Sequence, residues 1–176
     1  MNRAIAIARR EMGSYFRLPA GWIITALYLL LSGIVFSIGT LAPGQPATLK
    51  DFFGVSGWLL LPVAPAISMR LIAEELRSGT IESLMTAPVG SASLVVGKFL
   101  GALGFLAAML LPTLAYVAVL YMLAEPAPDA GPMIAGYLML VLLGGFYLAI
   151  GTLASALTNN ATLAFMLTLF TILALL

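Results

Sequence analysis

The stretch WIITALYLLLSGIVFSIGTL, residues 22–41, contains twenty residues and no charged side chain. A helix of about 20 apolar residues, at about 1.5 Å per residue, is long enough to cross the roughly 30 Å hydrocarbon core of a bilayer. The whole chain has the same character, because 62% of its 176 residues are hydrophobic and 9% are charged. Soluble domains carry about 25% charged residues. The sequence therefore predicts an all-α, polytopic membrane helix bundle.

The composition also excludes several classes of function. The chain contains no cysteine and no histidine, and its formal net charge is +1. This removes disulfides, thiolate nucleophiles, the usual zinc ligands and the commonest general base. The positive charge is too small for a nucleic-acid footprint. We therefore expect a chain that is not an enzyme, holds no metal or cofactor of its own and binds no nucleic acid.

The uncharged stretches between clusters of charge predict the membrane spans. Four spans are expected at about residues 22–41, 55–73, 99–123 and 133–157. A fifth apolar run, 161–176, reaches the last residue after only 16 residues. A helix that ended there would leave its last carbonyls unpaired in lipid, at a cost of several kcal/mol each. We therefore expect this sequence to be a fragment, or a neighbouring segment to be missing.

Lysine and arginine predict the orientation, because cytoplasmic loops carry an excess of both. With the N-terminus inside, Lys50 is the one basic residue outside. The cytoplasmic side then holds Arg3, Arg9, Arg10, Arg17, Arg70, Arg77 and Lys98. Lys98 lies at the cytoplasmic end of a span, where a lysine can extend its ammonium group to water. The sequence thus predicts a multi-pass protein with a cytoplasmic N-terminus.

Residues 1–20 have the pattern of an amphipathic helix at the membrane surface. An apolar stripe at helical spacing is formed by Met1, Ile5, Ala8, Met12, Tyr15 and Phe16. Arg3, Arg10, Ser14 and Arg17 lie on the opposite side. This arrangement predicts a helix in the plane of the lipid headgroups, with the interfacial arginines Arg3, Arg9, Arg10 and Arg17. At the start of the third span, Gly97 and Gly101 form a Gly-x-x-x-Gly motif, which predicts close helix packing.

The longest polar segment after the N-terminus is the cytoplasmic loop 74–98. The second span is expected to continue past the membrane surface, with Glu74, Glu75 and Arg77 in water, and Gly79 is a good helix stop. Thr80 can then cap a short helix over 81–86, with Glu82 favoured in its first turn.

Three apolar side chains of this short helix, Ile81, Leu84 and Met85, share one face, and Pro88 forbids extension. A helix of about six residues is far below the ~12–15 that are marginally stable alone. It must therefore dock on its own bundle or on a partner protein.

The loop sequence AEELRSGTIESLMTAPVG (73–90), followed by VGKF (96–99), resembles the cytoplasmic loop of type-2 ABC transporter permeases. The similarity is closest to the gliding-motility-associated and nitrous-oxide-reductase-maturation branches. The resemblance implies a six-span permease of the bacterial inner membrane that pairs with a second copy or a paralogous permease. It also implies separate ABC ATP-binding subunits, which would carry the ATP and magnesium.

In that family the loop between the second and third spans carries a coupling helix that docks on the ATPase. The residues that match the loop pattern or face the expected partner are Glu74, Glu75, Arg77, Gly79, Thr80, Ile81, Glu82, Leu84, Met85 and Pro88. The leading hypothesis is thus a permease subunit of an ATP-driven exporter.

Two other hypotheses remain open at the level of sequence. The same loop could recruit a cytoplasmic partner to a membrane anchor or assembly protein that does not transport. An intramembrane enzyme would need a catalytic pair within the spans. The hydroxyls expected there have no His, Lys or Asp partner at depth; they are Ser37, Ser68, Thr113, Thr152 and Ser155.

Overall fold

The computed structural model of the chain describes residues 2–41, 47–79, 91–124 and 127–176. Its helices, in chain order, are α1 (Asn2–Arg17), α2 (Pro19–Gly39), α3 (Lys50–Ser68), α4 (Ala73–Ser78), α5 (Ser91–Leu110), α6 (Leu114–Leu123), α7 (Ala130–Ala156) and α8 (Ala161–Leu175). A 3₁₀ turn, Leu111–Thr113, joins α5 to α6. No strand occurs in these ranges. The predicted all-α fold class is therefore confirmed.

Four helical stretches within the described ranges are long and apolar enough to cross a membrane. They are Pro19–Gly39, Lys50–Ser78, Ala92–Leu123 and Ala130–Ala156. Helix α8 is also apolar but shorter. Large apolar side chains such as Leu30, Trp58 and Leu138 are exposed on these stretches. Lipid chains are as apolar as leucine and tolerate such a surface, so the chain has the construction of the predicted polytopic bundle.

Local sequence signals set several of the helix ends. Pro19 occupies the first turn of α2, where its missing N–H costs nothing. Asp129 caps α7 by accepting a hydrogen bond from the Gly131 N–H at 3.0 Å, and Asn160 caps α8 by accepting one from the Thr162 N–H at 2.9 Å. Pro112 cannot donate a backbone hydrogen bond, and the chain tightens there into the turn between α5 and α6.

The core lies where α3 packs against α2, α7 and α8, and α5 also packs against α7. Fully buried side chains such as Leu60, Phe105 and Leu148 fill it. Two glycines of α7 permit the close approach of neighbouring helices. A Cβ at Gly144 would meet the Leu106 side chain, and one at Gly151 would overlap the Ser68 hydroxyl. The chain thus forms an up-and-down bundle in which α3 ends, α5 begins and α7 ends at the same face.

Helix α1 lies side by side with the first half of α5. The contacts advance along both helices together, from Ala4 beside Gly97 to Met12 beside Gly104. Ile5 of the predicted stripe is exposed. Three glycines on one face of α5 leave room for α1, whose Ile7, Glu11 and Met12 side chains lie against them.

Candidate functional site

Lys98, in the second turn of α5, joins three helices through a buried ion cluster. Its Nζ lies 3.0 Å from Glu11 Oε1 of α1 and 2.8 Å from Glu75 Oε1 of α4. The Lys98 side chain is 3% exposed, and the two glutamates are 15% and 17% exposed. Arg10 Nη2 lies 3.7 Å from Glu11 Oε1 but is mostly in water, where an ion pair contributes little. The sequence places Lys98 at the water interface, whereas the structure pairs it inside the protein.

The glycines on either side of Lys98 explain how α1 reaches it. A Cβ at Gly101 would lie 2.6 Å from Glu11 Cβ, and a Cβ at Gly97 would lie 2.8 Å from Ile7 Cβ. Real Cβ atoms cannot approach so closely, so only glycine lets α1 lie against α5 at this depth. The predicted close packing of the Gly-x-x-x-Gly motif is therefore confirmed, and α1 is the helix that occupies it.

Helix α4 is only six residues long and is held at its start by a residue from α7. The backbone N–H groups of Ile72 and Ala73 both donate to Ser155 Oγ at 3.0 Å. The Ser155 hydroxyl in turn donates to the Met69 carbonyl at 3.3 Å. Helix α4 ends at Gly79, which adopts a φ of 69°. Glycine reaches this left-handed conformation without steric cost, so the predicted helix stop is where the structure has it.

Tyr15 ties α1 to the end of α3. Its hydroxyl donates to the Ile67 carbonyl at 2.8 Å, and its ring stacks on Phe105 with the ring centroids 4.7 Å apart. Burial, and secondarily the charge of Glu11, raise the pKa of Tyr15 above its usual value of 10. The Tyr15 hydroxyl therefore stays protonated and remains a donor over the physiological pH range.

The remaining predicted site residues divide into those on the surface and those outside the described ranges. Glu74 and Arg77 are exposed on α4, and Gly79 is exposed directly after it. Arg9, Arg10 and Arg17 are exposed on α1. Thr80, Ile81, Glu82, Leu84, Met85 and Pro88 lie outside the described residues, and so does the side chain of Arg3. The structure thus brings Glu75 and Lys98 together and leaves Glu74 and Arg77 facing solvent.

Sequence reasoning did not single out Glu11, Tyr15 or Ser155 as members of this site. Glu11 carries a weak signal, since it is the one acidic residue among the arginines of residues 1–17. Ser155 carries no comparable signal. Ser68, Thr152 and Thr168 lie in equally apolar stretches, yet their hydroxyls bond within their own helices. The sequence therefore does not distinguish Ser155 from them. Within the described ranges, no group of three or more potential ligand side chains could hold a metal ion.

Comparison with known proteins identifies the family. Residues 5–176 match the model of the ABC-2 family transporter protein. The chain is 33% identical over 101 residues to a protein of Pseudomonas aeruginosa named probable ABC transporter permease protein NosY. It is 29% identical over 107 residues to the protein of the same name from Stutzerimonas stutzeri.

These alignments cover 54% and 57% of this chain but only 37% and 39% of the two relatives, so the chain spans less than half of their length. The family match, in contrast, extends over nearly the whole sequence. It agrees with the resemblance of the loop at 73–90 and with the apolar helical bundle. The chain belongs to the ABC-2 family of transporter proteins.

Proposed function

We propose that this chain is part of the permease subunit of an ATP-driven exporter, and that separate ATP-binding subunits act on it through the loop between the second and third spans. Membership of the ABC-2 family supports a transporter, and the names of the two relatives support a permease. The observation that best supports the coupling role is the buried ion cluster of Lys98. Its buried ammonium links α4, which leads directly into the loop, to α1 and to the base of the third span.

The ion cluster provides a physical route for movement. A partner that displaced residues 80–90 would move α4, because Gly79 is the only residue between them. The Glu75–Lys98–Glu11 contacts would then carry α5 and α1 along as one unit, since packed protein interiors transmit strain rather than deform. Nucleotide chemistry would take place in the partner, which would bind ATP and magnesium.

The exposed charges of α4 suit the rim of such an interface. Glu74 and Arg77 are in solvent and have opposite signs. Charges at the rim of an interface favour correct orientation and encounter more than affinity. The apolar residues Ile81, Leu84 and Met85 would provide the contact surface, as the sequence predicts.

The distribution of basic residues supports a cytoplasmic position for this end of the bundle, in a bacterial inner membrane. Arg9, Arg10 and Arg17 belong to or adjoin α1, which packs on the base of α5 beside Lys98. Lys50 begins α3 at the opposite end. Because cytoplasmic loops carry the excess of lysine and arginine, α1 and α4 would face the cytoplasm. A second copy or a related permease would complete the membrane unit.

A photocrosslinking experiment tests the proposal. A photoreactive amino acid replaces Leu84 in the full permease, which is expressed together with the ABC ATP-binding subunits of the same genome. The matched control carries it at Ala127, an exposed residue at the opposite end of the bundle. We expect the Leu84 variant, and not the Ala127 variant, to crosslink to an ATP-binding subunit that hydrolyses ATP.

Two outcomes would contradict the proposal. Capture of the ATP-binding subunit at Ala127 alone would place the loop on the wrong side of the membrane. Capture at Leu84 of a partner without nucleotide hydrolysis would favour a membrane anchor that recruits a cytoplasmic protein.

A further inference from the structure

Ser155 differs in its hydrogen bonding from two other buried hydroxyls of α7 and α8, those of Thr152 and Thr168. Thr152, one turn earlier in α7, donates to Leu148 O at 2.7 Å, and Thr168 in α8 donates to Ala164 O at 2.6 Å. Both bonds stay within the helix that carries the hydroxyl, which is the common arrangement for serine and threonine in helices. All three hydrogen bonds of Ser155 instead cross to residues 69–73, which run from the end of α3 to the first residue of α4.

These bonds satisfy a need that α4 cannot meet itself. The first amides of a helix have no acceptor within the helix, and a neighbouring group must supply one. Ile72 stands in the capping position and offers no side-chain acceptor. Ser155 is fully buried, so water does not substitute for its hydroxyl. The position of α4 is therefore tied to the end of α7 by directional bonds rather than by apolar contact alone.

The Ser155 bonds lie beside a gap between α5 and α7. Among the described residues, an open apolar groove lies beside Ile72, lined by Phe99 of α5 and Leu153 of α7. Helices α5 and α7 are thus not tightly packed against each other at this end of the bundle. Beside this groove, the Ser155 bonds connect α7 directly to residues 69–73.

We infer that Ser155 is a positioning residue that makes the fourth span follow the coupling segment, in parallel with the Lys98 cluster that moves α1 and the third span. This inference rests on the proposed function, since it assumes that a partner displaces the segment after α4. It assigns the two sets of polar contacts on α4 to different spans. Glu75 is connected through Lys98 to α5 and α1, whereas the amides of Ile72 and Ala73 are hydrogen-bonded to α7.

The first test measures the bonds themselves by hydrogen exchange in the full permease complex. In Ser155→Ala, the amides of Ile72 and Ala73 should exchange at least tenfold faster. The matched control Thr152→Val also removes a buried hydroxyl from α7 and should leave these two amides unchanged. In the unmodified complex, both amides should stay protected with and without nucleotide, because their hydrogen bonds to Ser155 must persist while the helices move. Loss of protection in either nucleotide state would overturn the inference without any variant.

The second test measures whether α7 follows. Spin labels at Thr48→Cys and Ala127→Cys report the distance between the far ends of α3 and α7 in the reconstituted complex. Within residues 1–176, which contain no native cysteine, these two positions alone then carry labels. We expect a distance change on nucleotide binding that falls by at least half in Ser155→Ala and persists in Thr152→Val, while ATP hydrolysis continues in both.

The possible failures are distinguishable. A complex that hydrolyses ATP and shows the full distance change without the Ser155 hydroxyl would overturn this inference and leave the proposed function intact. A chain that engages no ATP-binding subunit would remove the proposed function, and the inference with it.

Discussion

Lys98 is a buried ammonium group, and its neighbours determine whether this burial is tolerable. Taking a charge out of water costs several kcal/mol, and partners must offset it. Glu11 and Glu75 supply two carboxylates, and Arg10 brings the formal charge of the group to zero. Glu75 Oε2 is buried and accepts no hydrogen bond from the described residues. The cluster is therefore balanced with all its members present and sensitive to the loss of one.

We predict that Lys98→Met lowers the free energy of unfolding by about 3 kcal/mol, because it leaves two largely buried carboxylates without their partner. Denaturant titration of the purified full protein in detergent measures the change. Lys50→Met is the control, since Lys50 is exposed and surface substitutions cost at most about 0.5 kcal/mol. The triple variant Glu11→Gln, Lys98→Met, Glu75→Gln should recover most of the loss. Equal stability of Lys98→Met and Lys50→Met would show that the cluster is not stabilising.

At the scale of elements, the contact between α1 and α5 depends on residues without side chains. Gly97 and Gly101 face Ile7 and Glu11, and Gly104 faces Met12. Close approach of two helix backbones increases van der Waals contact, which is the main attraction between helices in an apolar medium. The same approach brings Glu11 within reach of Lys98. Packing and electrostatics at this contact are therefore coupled.

We predict that Gly101→Ala destabilises the protein by about 1–3 kcal/mol, because the added methyl group forces α1 away from α5. Gly13→Ala is the matched control, since a Cβ there meets nothing within 4 Å. Alanine in an open helical position should stabilise α1 by up to about 1 kcal/mol. Thermal unfolding of the two variants in the same detergent compares them. A Gly101→Ala variant as stable as Gly13→Ala would contradict the close packing.

At the scale of the whole molecule, the ion pairs of the described residues lie at one end of the bundle, whereas hydrogen bonds between helices also occur at mid-span, as between Thr113 and Tyr137. One end contains the Lys98 cluster, the Tyr15 bond to Ile67 and the Ser155 bonds to α4. The other contains the bond from the Thr40 hydroxyl to the Thr48 carbonyl, at 3.1 Å. Charged contacts are cheaper near the membrane surfaces than at mid-depth, and the asymmetry of lysine and arginine supports the proposed cytoplasmic position of the end that contains Lys98.

We predict that a membrane-impermeant maleimide labels Thr48→Cys, but not Asn159→Cys, in intact bacterial cells. Both residues are exposed and lie at opposite ends of the bundle. Labelling of Asn159→Cys only after the membrane is permeabilised serves as the internal control, because it shows that the cysteine is reactive. Labelling of Asn159→Cys in intact cells would reverse the proposed orientation.

Much of the fold could be predicted from the sequence because its signals are local. Uninterrupted apolar runs predict membrane helices wherever they occur, and the charges between them mark the boundaries. Gly79 ends α4, and Gly97 and Gly101 pack closely, because the absence of a Cβ acts at the residue itself. The loop pattern at 73–90 was sufficient to indicate the family that the comparison shows.

The partners of these elements could not be predicted in the same way. Nothing in residues 1–17 shows that α1 packs on α5, and the amphipathic pattern is equally compatible with a lipid surface. Lys98 at the end of a span ordinarily reaches water, and only the arrival of α1 and α4 on either side encloses it. Ser155 is one of several hydroxyls in apolar helices, and its environment is set by a segment far away in the chain.

The sequence by itself determined the class of protein, the apolar helices and the segment that resembles a coupling loop, because hydrophobicity and glycine act residue by residue. Only the tertiary structure decided that Lys98 joins Glu11 across 87 positions and that Ser155 holds Ile72 across 83 positions. Such contacts depend on which helix faces meet, and that choice is made by shape and packing over the whole bundle. A linear pattern of polar and apolar residues does not encode it.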